Sequence, residues 1–234
     1  MGLHFSQLVS QRYSVHTLQT GSFKENCYVV VGYDGANAII IDPGAEANYL
    51  KAEIDALGVN ITMILLTHGH FDHIGAVENL AKYYGVLVHA HQIEKALIRQ
   101  ASIYAYRFSR ERLIPPVNIT YFEQCQDIYW SGGVIATIPC PGHTAGCVSY
   151  AFESELVFTG DTLFKGYVGP SNYPTSNYRD LINSVNSLLT NLPLDCIILP
   201  GHGKPWLVRD AAVWWSRISN NPPQFHLFGD DNSG

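Results

Sequence analysis

Short apolar runs that stop at polar turns are the main pattern along this chain. Residues 27–31 and 38–41 are two such runs, and the Asp34-Gly35 pair between them is typical of the tight turn of a β-hairpin. Residues 61–66 form a third run of apolar and β-branched side chains, which predicts a buried strand. Similar runs predict further strands near 14–18, 86–90, 119–122, 127–130, 134–139, 148–152, 156–158 and 196–199.

Apolar positions at helical spacing separate several of these runs. Between 47 and 57 the residues Leu50, Ile54 and Leu57 recur at this spacing, and Gly58 is well placed to end the helix. The same spacing predicts helices over 76–84, 92–113, 179–191 and 208–218. Strands that alternate with helices predict an α/β protein whose sheet layers are covered by helices.

A group of side chains able to bind metal follows directly after the strand predicted at 61–66. His68, His70, Asp72 and His73 lie within six positions of one another there. Because a loop at a strand end can turn side chains onto a common point, these imidazoles and this carboxylate suit zinc, iron or manganese. The alternative is an ordinary polar surface loop, but four ligand types at this spacing rarely arise in one.

Three later strand ends carry the same residue types. His143 lies in the Pro-Gly-His-Thr stretch, Asp161 follows the strand predicted at 156–158, and His202 lies in a Pro-Gly-His-Gly stretch. A single glycine-flanked histidine is usually structural, but the recurrence favours one convergent site. That site has enough ligands for two metals, and Asp161 is the natural bridge because a carboxylate has two oxygens to share.

Composition and charge narrow the class of protein. The 234 residues are 47% hydrophobic and 15% charged, which predicts one domain over 1–219 and a polar tail over 220–234 that we expect to be flexible. With a net charge of -6 and no basic run, no nucleic-acid partner is expected. No stretch approaches the roughly 20 apolar residues of a membrane helix, and no secretory signal is visible at the N-terminus.

Cysteine usage points to a reducing compartment. The five cysteines are scattered and form no C-x-x-C pair, which favours free thiols in a cytoplasmic protein. The expected partner of the protein is a small-molecule substrate. The sequence does not determine the oligomeric state.

The combined motifs at 67–73, 141–144, 160–164 and 200–203 resemble those of the metallo-β-lactamase-fold hydrolase superfamily. The resemblance covers residues 14–218 and implies a four-layer αββα sandwich, in which two mixed β-sheets are covered by helices. It also implies two divalent metal ions, with zinc expected and iron or manganese as alternatives. In that arrangement metal one is bound by His68, His70 and His143, metal two by Asp72, His73 and His202, and Asp161 bridges them.

Within the superfamily, the G-D-T-L-F stretch at 160–164 is more similar to the glyoxalase II (hydroxyacylglutathione hydrolase) branch than to the true β-lactamases, which lack the bridging Asp. Residues 20–28 also resemble the opening strand pair of glyoxalase II-like proteins. The loop at 165–172 lacks the Arg and the Asp that short members of this branch commonly have there. The resemblance therefore does not specify glutathione as the thiol.

The expected reaction is hydrolysis of a small thioester or ester. Two cations a few ångströms apart lower the pKa of a bridging water toward about 7 and give hydroxide at neutral pH. Asp72 is the candidate catalytic residue, because it would bind metal two and hold that hydroxide in line. A thiolate leaving group needs little protonation, whereas an amine needs an acid that the sequence does not reveal, and this favours a thioester over an amide.

Other enzyme classes use the same scaffold. A mononuclear iron dioxygenase acting on a persulfide reuses part of the motif set, but the presence of both His73 and His202 weighs against it. Lactone or phosphodiester hydrolysis is a further alternative, although phosphodiester nucleases typically add a domain. Metal storage without catalysis is less favoured, because a full ligand set with a bridging carboxylate exceeds what storage requires.

The segments around the motifs leave the substrate undetermined. His91 begins a predicted helix and is expected to be a hydrogen-bonded helix-start residue more than a site residue. The aromatic segment 103–108 either covers a substrate or packs against the core. Lys24 and Lys165 either meet a substrate carboxylate or remain solvated. Three tyrosines either line the substrate pocket or order their own loop; they are Tyr167, Tyr173 and Tyr178.

Overall fold

The computed structural model of the chain describes residues 5–218 and 222–224 and contains two large β-sheets. Alternate residues of a strand point to opposite faces of its sheet, so each sheet contributes to two apolar layers. Val30 of the first sheet packs against Tyr150 and Phe158 of the second, and this layer joins the two sheets. Helices cover the outer faces, which gives the αββα sandwich predicted from the motifs.

The first sheet has seven strands in sequence order. The first four strands pair antiparallel, and the last three continue in parallel. The strands are β1 (Phe5–Val9), β2 (Ser14–Thr20), β3 (Glu25–Val31), β4 (Asn37–Ile41), β5 (Asn60–Leu65), β6 (Leu87–His91) and β7 (Ile119–Phe122).

The second sheet has six strands in the order β15-β14-β11-β10-β9-β8. Only β11 and β14 pair in parallel there; the other neighbours are antiparallel. A two-stranded hairpin of β12 (Leu163–Phe164) and β13 (Tyr167–Val168) follows β11. The six strands are β8 (Ile128–Trp130), β9 (Gly133–Pro139), β10 (Val148–Phe152), β11 (Leu156–Gly160), β14 (Ile197–Pro200) and β15 (Trp206–Leu207).

Helices on each side bury one apolar face against the sheet beneath. Leu50 and Ile98 pack on the first sheet, and Leu181 and Trp215 pack on the second. None of the helices in the described part of the chain is long and apolar enough to cross a membrane. The helices are α1 (Ala47–Ala56), α2 (Phe71–Ile74), α3 (Val77–Tyr84), α4 (Lys95–Ser109), α5 (Tyr178–Asn191) and α6 (Val208–Ile218).

Two elements differ from the sequence-based expectation. The helix expected over 92–113 is a 3-10 turn (Gln92–Glu94) followed by α4, and it ends at Ser109 because Arg110 adopts a left-handed conformation with φ of 61°. The segment at 165–172, described from its sequence as a loop, contains strand β13. Strands of two residues are too short to give a periodic signal in the sequence.

The tail predicted over 220–234 lies mostly outside the described residues. Three of its residues, 222–224, are described, and two of them contact β13 and the loop after it. The amide of Val168 donates to the carbonyl of Pro223 at 3.0 Å, and the amide of Ser171 donates to Oε1 of Gln224 at 3.1 Å. The division at residue 219 stays a prediction.

Strand direction brings the predicted site residues to one edge of the sandwich. Strands β4 and β5 are parallel, with Ile41 opposite Leu65, so residues after both strands leave the first sheet on the same side. In the second sheet β11 and β14 are parallel, with Gly160 opposite Pro200. The loops after these four strands therefore meet at one edge.

Candidate metal centre

All of the side chains predicted as metal ligands lie together at this edge. They form two groups, each with donor atoms within 4.8 Å of one another, and one aspartate lies between the groups. The first group is His68, His70 and His143; the second is Asp72, His73 and His202; the aspartate is Asp161.

In the first group three imidazole nitrogens converge. Nδ1 of His70 lies 3.1 Å from Nε2 of His68 and 2.8 Å from Nε2 of His143. Nitrogens bound tetrahedrally to one zinc ion at the usual bond length are about 3.3 Å apart. The spacing of these three nitrogens is therefore close to that of three ligands of one small cation.

Outer hydrogen bonds fix which nitrogen of His68 and of His143 faces the centre. The hydroxyl of Thr67 donates to Asp42 at 2.5 Å, so it accepts a hydrogen bond from Nδ1 of His68 at 3.0 Å. Nδ1 of His143 donates to the carbonyl of Pro170 at 2.7 Å. His68 and His143 thus carry their proton on Nδ1 and present the lone pair of Nε2 inward, which is the state that binds metal, whereas His70 faces the centre through Nδ1.

The second group is built in the same way. Nδ1 of His202 donates to the carbonyl of Phe23 at 3.0 Å, and Nδ1 of His73 lies 3.1 Å from a carboxylate oxygen of Asp42. Oδ2 of Asp72 lies 3.4 Å from Nε2 of His202 and 3.9 Å from Nε2 of His73. Two imidazoles and one carboxylate therefore face a common point.

Asp161 contacts both groups. One of its oxygens, Oδ1, lies 3.3 Å from Nε2 of His73. The other, Oδ2, lies 3.5 Å from Nε2 of His143 and 3.7 Å from Nε2 of His202. This carboxylate is the side chain that joins the group of three histidines to the second group.

Several buried atoms of the cluster are unsatisfied. Among the described residues, no partner forms a hydrogen bond of standard geometry with Oδ2 of Asp72, Nε2 of His73 or either carboxylate oxygen of Asp161. Burying such polar atoms without a partner costs about 1–3 kcal/mol each. Divalent cations would satisfy these oxygens and nitrogens, so the donor set fits metal ions.

The electrostatics of the cluster also favour cations. Burial lowers the pKa of His68 and of His143 below the usual value, and it lowers the pKa of His70 to about 3, so these imidazoles are neutral at neutral pH. Burial alone would raise the pKa of Asp161, but the neighbouring His73 holds it well below its usual range. The neutral imidazoles of the first group and the ionised Asp161 are in the protonation states that ligate metals.

Sequence reasoning missed Asp42, which is buried at the end of β4. Besides its contact with His73, its Oδ1 accepts from the amide of Thr67 at 2.7 Å. Asp42, His68 and His73 also offer donor atoms close together, but the Asp42 oxygens already accept from Thr67 and face Nδ1 of His73. Asp42 therefore orients ligands. Its position directly after a buried strand was a signal that could have identified it.

A second missed residue is Glu94, which is 2% exposed and lies just before α4. It accepts hydrogen bonds from the amides of Gly69 and Gly146, at 2.7 and 2.9 Å, and from the hydroxyl of Thr144 at 2.8 Å. Gly69 separates His68 from His70, and Thr144 follows His143. Glu94 thus joins the two loops of the first group. A glutamate at a helix start normally indicates a solvated side chain, so the sequence carried no signal.

A third residue that sequence reasoning missed is Glu25. It is the first residue of β3 and is fully buried behind His73. Its Oε2 accepts from the hydroxyl of Thr20 at 3.1 Å, and its Oε1 lies 4.0 Å from Nδ1 of His73. Burial raises the pKa of Glu25 well above its usual value. A charged residue type at the start of an otherwise apolar strand was the available signal.

The remaining candidates separate into residues at the site and residues away from it. His91 caps a 3-10 turn, and its side chain accepts from the amide of Ile93, as expected of a helix-start residue. Lys24 and Lys165 are exposed. Tyr173 lies edge-on to His70, with ring centroids 5.4 Å apart, and so belongs to the wall of the centre.

The sequence profile of the Metallo-beta-lactamase superfamily matches residues 20–202. This chain belongs to that superfamily. The match confirms the family predicted from the motifs. A similar protein is the hydroxyacylglutathione hydrolase GloC of Haemophilus influenzae, 34% identical over 193 residues, which are 81% of this chain and 91% of that protein. The probable metallo-hydrolase YqgX of Bacillus subtilis is 31% identical over 193 residues, which are 80% of this chain and 88% of that protein.

Solved structures agree with the sandwich fold. The crystal structure of TTHA1623 in a di-iron-bound form superimposes with a TM-score of 0.76 at 30% identity, covering 84% of this chain and 96% of that one. The BLEG-1 B3 metallo-beta-lactamase gives a TM-score of 0.79 at 25% identity, covering 85% of this chain and 96% of that one. The glyoxalase II-like branch predicted from the sequence fits the similarity to the hydroxyacylglutathione hydrolase GloC.

Proposed function

We propose that this protein is a dinuclear metal-dependent hydrolase of a small thioester or ester, similar to glyoxalase II. The observation that carries the proposal is the position of Asp161. Its two oxygens lie within 3.7 Å of imidazole nitrogens from both ligand groups, so one carboxylate can bind two cations at once. A second cation distinguishes this centre from a mononuclear one.

In this proposal His68, His70 and His143 bind the first metal. Asp72, His73 and His202 bind the second, and Asp161 bridges. Zinc is the proposed ion because imidazole and carboxylate suit it, and iron or manganese accept the same ligands. The similar TTHA1623 protein was solved with two irons, which supports a site for two metals.

Two cations held there would lower the pKa of a bound water toward about 7 and stabilise negative charge on a carbonyl oxygen. Asp72 is the proposed catalytic residue. Its Oδ2 is buried, lacks a hydrogen-bond partner of standard geometry among the described residues, and faces the nitrogens of His73 and His202. It is therefore placed to accept a hydrogen bond from the attacking water and to orient it.

The leaving group distinguishes the candidate carbonyl substrates. A thiolate departs with little need for a proton, whereas an amine must be protonated by an acid. The imidazoles of the first group are neutral at neutral pH because burial lowers their pKa, so none of them is an imidazolium that could act as the acid. A thioester or an activated ester is therefore the proposed substrate class.

We also propose that the protein is cytoplasmic. All five cysteines are free, and Cys27, Cys140, Cys147 and Cys196 are buried as thiols. Burial raises the pKa of these four thiols, which keeps them protonated and unreactive. Unpaired cysteines support a reducing compartment.

The test combines metal analysis with a substrate panel. Protein purified with its metals would be analysed by mass spectrometry for metal content and then assayed on thioesters, a lactone, nitrocefin and a phosphodiester. Two metal ions per chain together with thioester or ester turnover is the expected result. One iron per chain with oxygen consumption on a persulfide, or turnover of the phosphodiester alone, would contradict the proposal.

A further inference from the structure

A cavity of about 360 Å³ opens beside the first group of histidines. His70 and Asp72 form its inner end. Its walls come from α4 and from the loop at 173–175. Ligand pockets of proteins have volumes of this order, and this one ends at the residues proposed to carry out the chemistry.

The wall of this cavity is aromatic. The ring of Phe108 lies parallel to Phe71, with an interplanar angle of 13°, and parallel to Tyr104, with an angle of 7°. The centroids are 6.1 and 6.4 Å apart. Tyr173 faces them from the opposite loop. Such a wall presents aromatic faces and edges to a ligand, which suit a flat or apolar group.

The wall of the cavity offers no basic side chain. Among the described residues that line it there is no lysine or arginine, and the acidic one, Asp72, is a proposed metal ligand. Arg112 lines a separate, smaller cavity that shares Phe71 and Asp72, and there it lies with Glu46 and Glu111. Glutathione carries two carboxylates, and an apolar wall without a basic side chain disfavours carboxylates because it cannot replace their hydration.

From this geometry we infer that the cavity binds an uncharged, apolar group of the substrate, such as an aromatic ring or an alkyl chain attached to the reacting ester or thioester. The inference rests on the proposed function and narrows it. The substrate class becomes apolar thioesters and esters, with glutathione thioesters disfavoured.

Three thioesters with matched alkyl thiol leaving groups test the preference. S-phenylacetyl-N-acetylcysteamine carries an aromatic ring on the acyl side, and S-benzyl thioacetate carries one on the thiol side. S-acetylglutathione carries the charged carboxylates of glutathione. We expect kcat/KM for one of the ring-bearing substrates to exceed that for S-acetylglutathione at least about tenfold. The better of the two identifies the side of the carbonyl that enters the cavity.

Two variants on α4 separate the cavity from the rest of the helix. Tyr104→Ala removes a ring from the wall and is expected to raise KM for the preferred substrate about tenfold, with kcat little changed. Tyr106→Ala is the matched control, because Tyr106 is 61% exposed and contacts Arg110. The control should leave KM unchanged. Gln100→Lys at the cavity wall should raise kcat/KM for S-acetylglutathione.

Binding to metal-free protein gives a readout independent of turnover. Benzyl methyl sulfide, an uncharged probe that cannot be hydrolysed, should bind wild type and Tyr106→Ala and lose binding in Tyr104→Ala when titrated by NMR. If the probe binds in this pattern but no thioester is hydrolysed, the proposed function is wrong and the inference about the cavity stands. If S-acetylglutathione is the preferred substrate, or if Tyr104→Ala and Tyr106→Ala behave alike, the inference is overturned and the proposed function stands.

Discussion

Oδ2 of Asp42 lies 3.1 Å from Nδ1 of His73, and both side chains are buried although they are 31 positions apart in the chain. The same carboxylate also accepts hydrogen bonds from the amide and hydroxyl of Thr67. Thr67 in turn holds His68. One side chain outside the proposed ligand set therefore orients a histidine of each group.

Replacing Asp42 by Ala is expected to weaken metal binding and activity about 10–100-fold, which is typical of the loss of a residue that orients metal ligands. His73 would lose the partner of its Nδ1, and the hydroxyl of Thr67 would be free to rotate away from His68. Chelator competition on the metal-loaded variant measures the affinity. Asp34→Ala, in the exposed turn before β4, is the control. Equal affinities in the two variants would show that Asp42 has no orienting role.

Removing a proposed ligand should have a larger effect than removing Asp42. His68→Ala, His70→Ala or Asp161→Ala is expected to remove most of the bound metal and of the hydrolytic activity, and Asp161→Ala should affect both metals because it contacts both groups. His89→Ala is the control, since His89 lies on β6 and belongs to neither group. Normal metal content and turnover in the three ligand variants would contradict the assignment.

Glu94 is expected to hold the two loops of the first group in place. Glu94→Gln replaces one acceptor oxygen by an amide donor that faces an N–H group or a hydroxyl, and this should cost about 2 kcal/mol of unfolding free energy. The metal affinity of the first group should fall as well. Glu78→Gln is a matched control, because Glu78 is also buried and accepts from a backbone amide, that of Val117, away from the centre.

Denaturant unfolding with metal titration separates the two effects of Glu94→Gln. If the role of Glu94 is purely structural, both Glu94→Gln and Glu78→Gln should lower the unfolding free energy by similar amounts and leave metal affinity unchanged. A lower metal affinity confined to Glu94→Gln is the outcome that we expect.

Gly201 leaves the space that the second group needs. A Cβ added there would lie 2.2 Å from Oδ1 of Asp161 and 2.7 Å from Cε1 of His73. Gly201→Ala should therefore displace one of these side chains and reduce activity about 100-fold, with less than two metals bound per chain. Gly203→Ala adds a Cβ with no neighbour within 4 Å, at a φ of 83°, so it should cost stability without loss of metal.

Metal removal should destabilise the whole domain. The clustered carboxylate oxygens lose the cations that satisfy them, and ions present at about 1,000 times Kd contribute about 4 kcal/mol to stability. For a chain of this length that corresponds to a fall in Tm of roughly 10 °C. Calorimetry before and after dialysis against a chelator measures the shift. An unchanged Tm would indicate that the cluster does not bind metal tightly.

Much of the architecture could be predicted from the sequence because the relevant signals are local. The run 61–66 predicted β5, and the helix α6 has the bounds expected from its periodicity. The strand ends carrying His143, Asp161 and His202 were visible as Gly-rich turns. Short apolar runs, helical spacing and turn residues each involve neighbours in sequence, so they can be recognised without the tertiary structure.

The role of Glu94, which joins the two loops of the first group, could not be predicted in this way. Glu94 is 25 residues from Gly69 and 50 from Thr144, and it has the same appearance in sequence as any solvated glutamate at a helix start. The cavity wall is a similar case, because Phe71 comes from α2, Tyr104 from α4 and Tyr173 from a distant loop.

The sequence by itself determined the residue types that can bind metal and the strand ends that present them. Only the tertiary structure decided which nitrogen of each histidine faces inward, which carboxylate contacts both groups, and which rings line the cavity. Those properties depend on distances and burial between segments far apart in the chain, and such distances are set when the two sheets pack against each other.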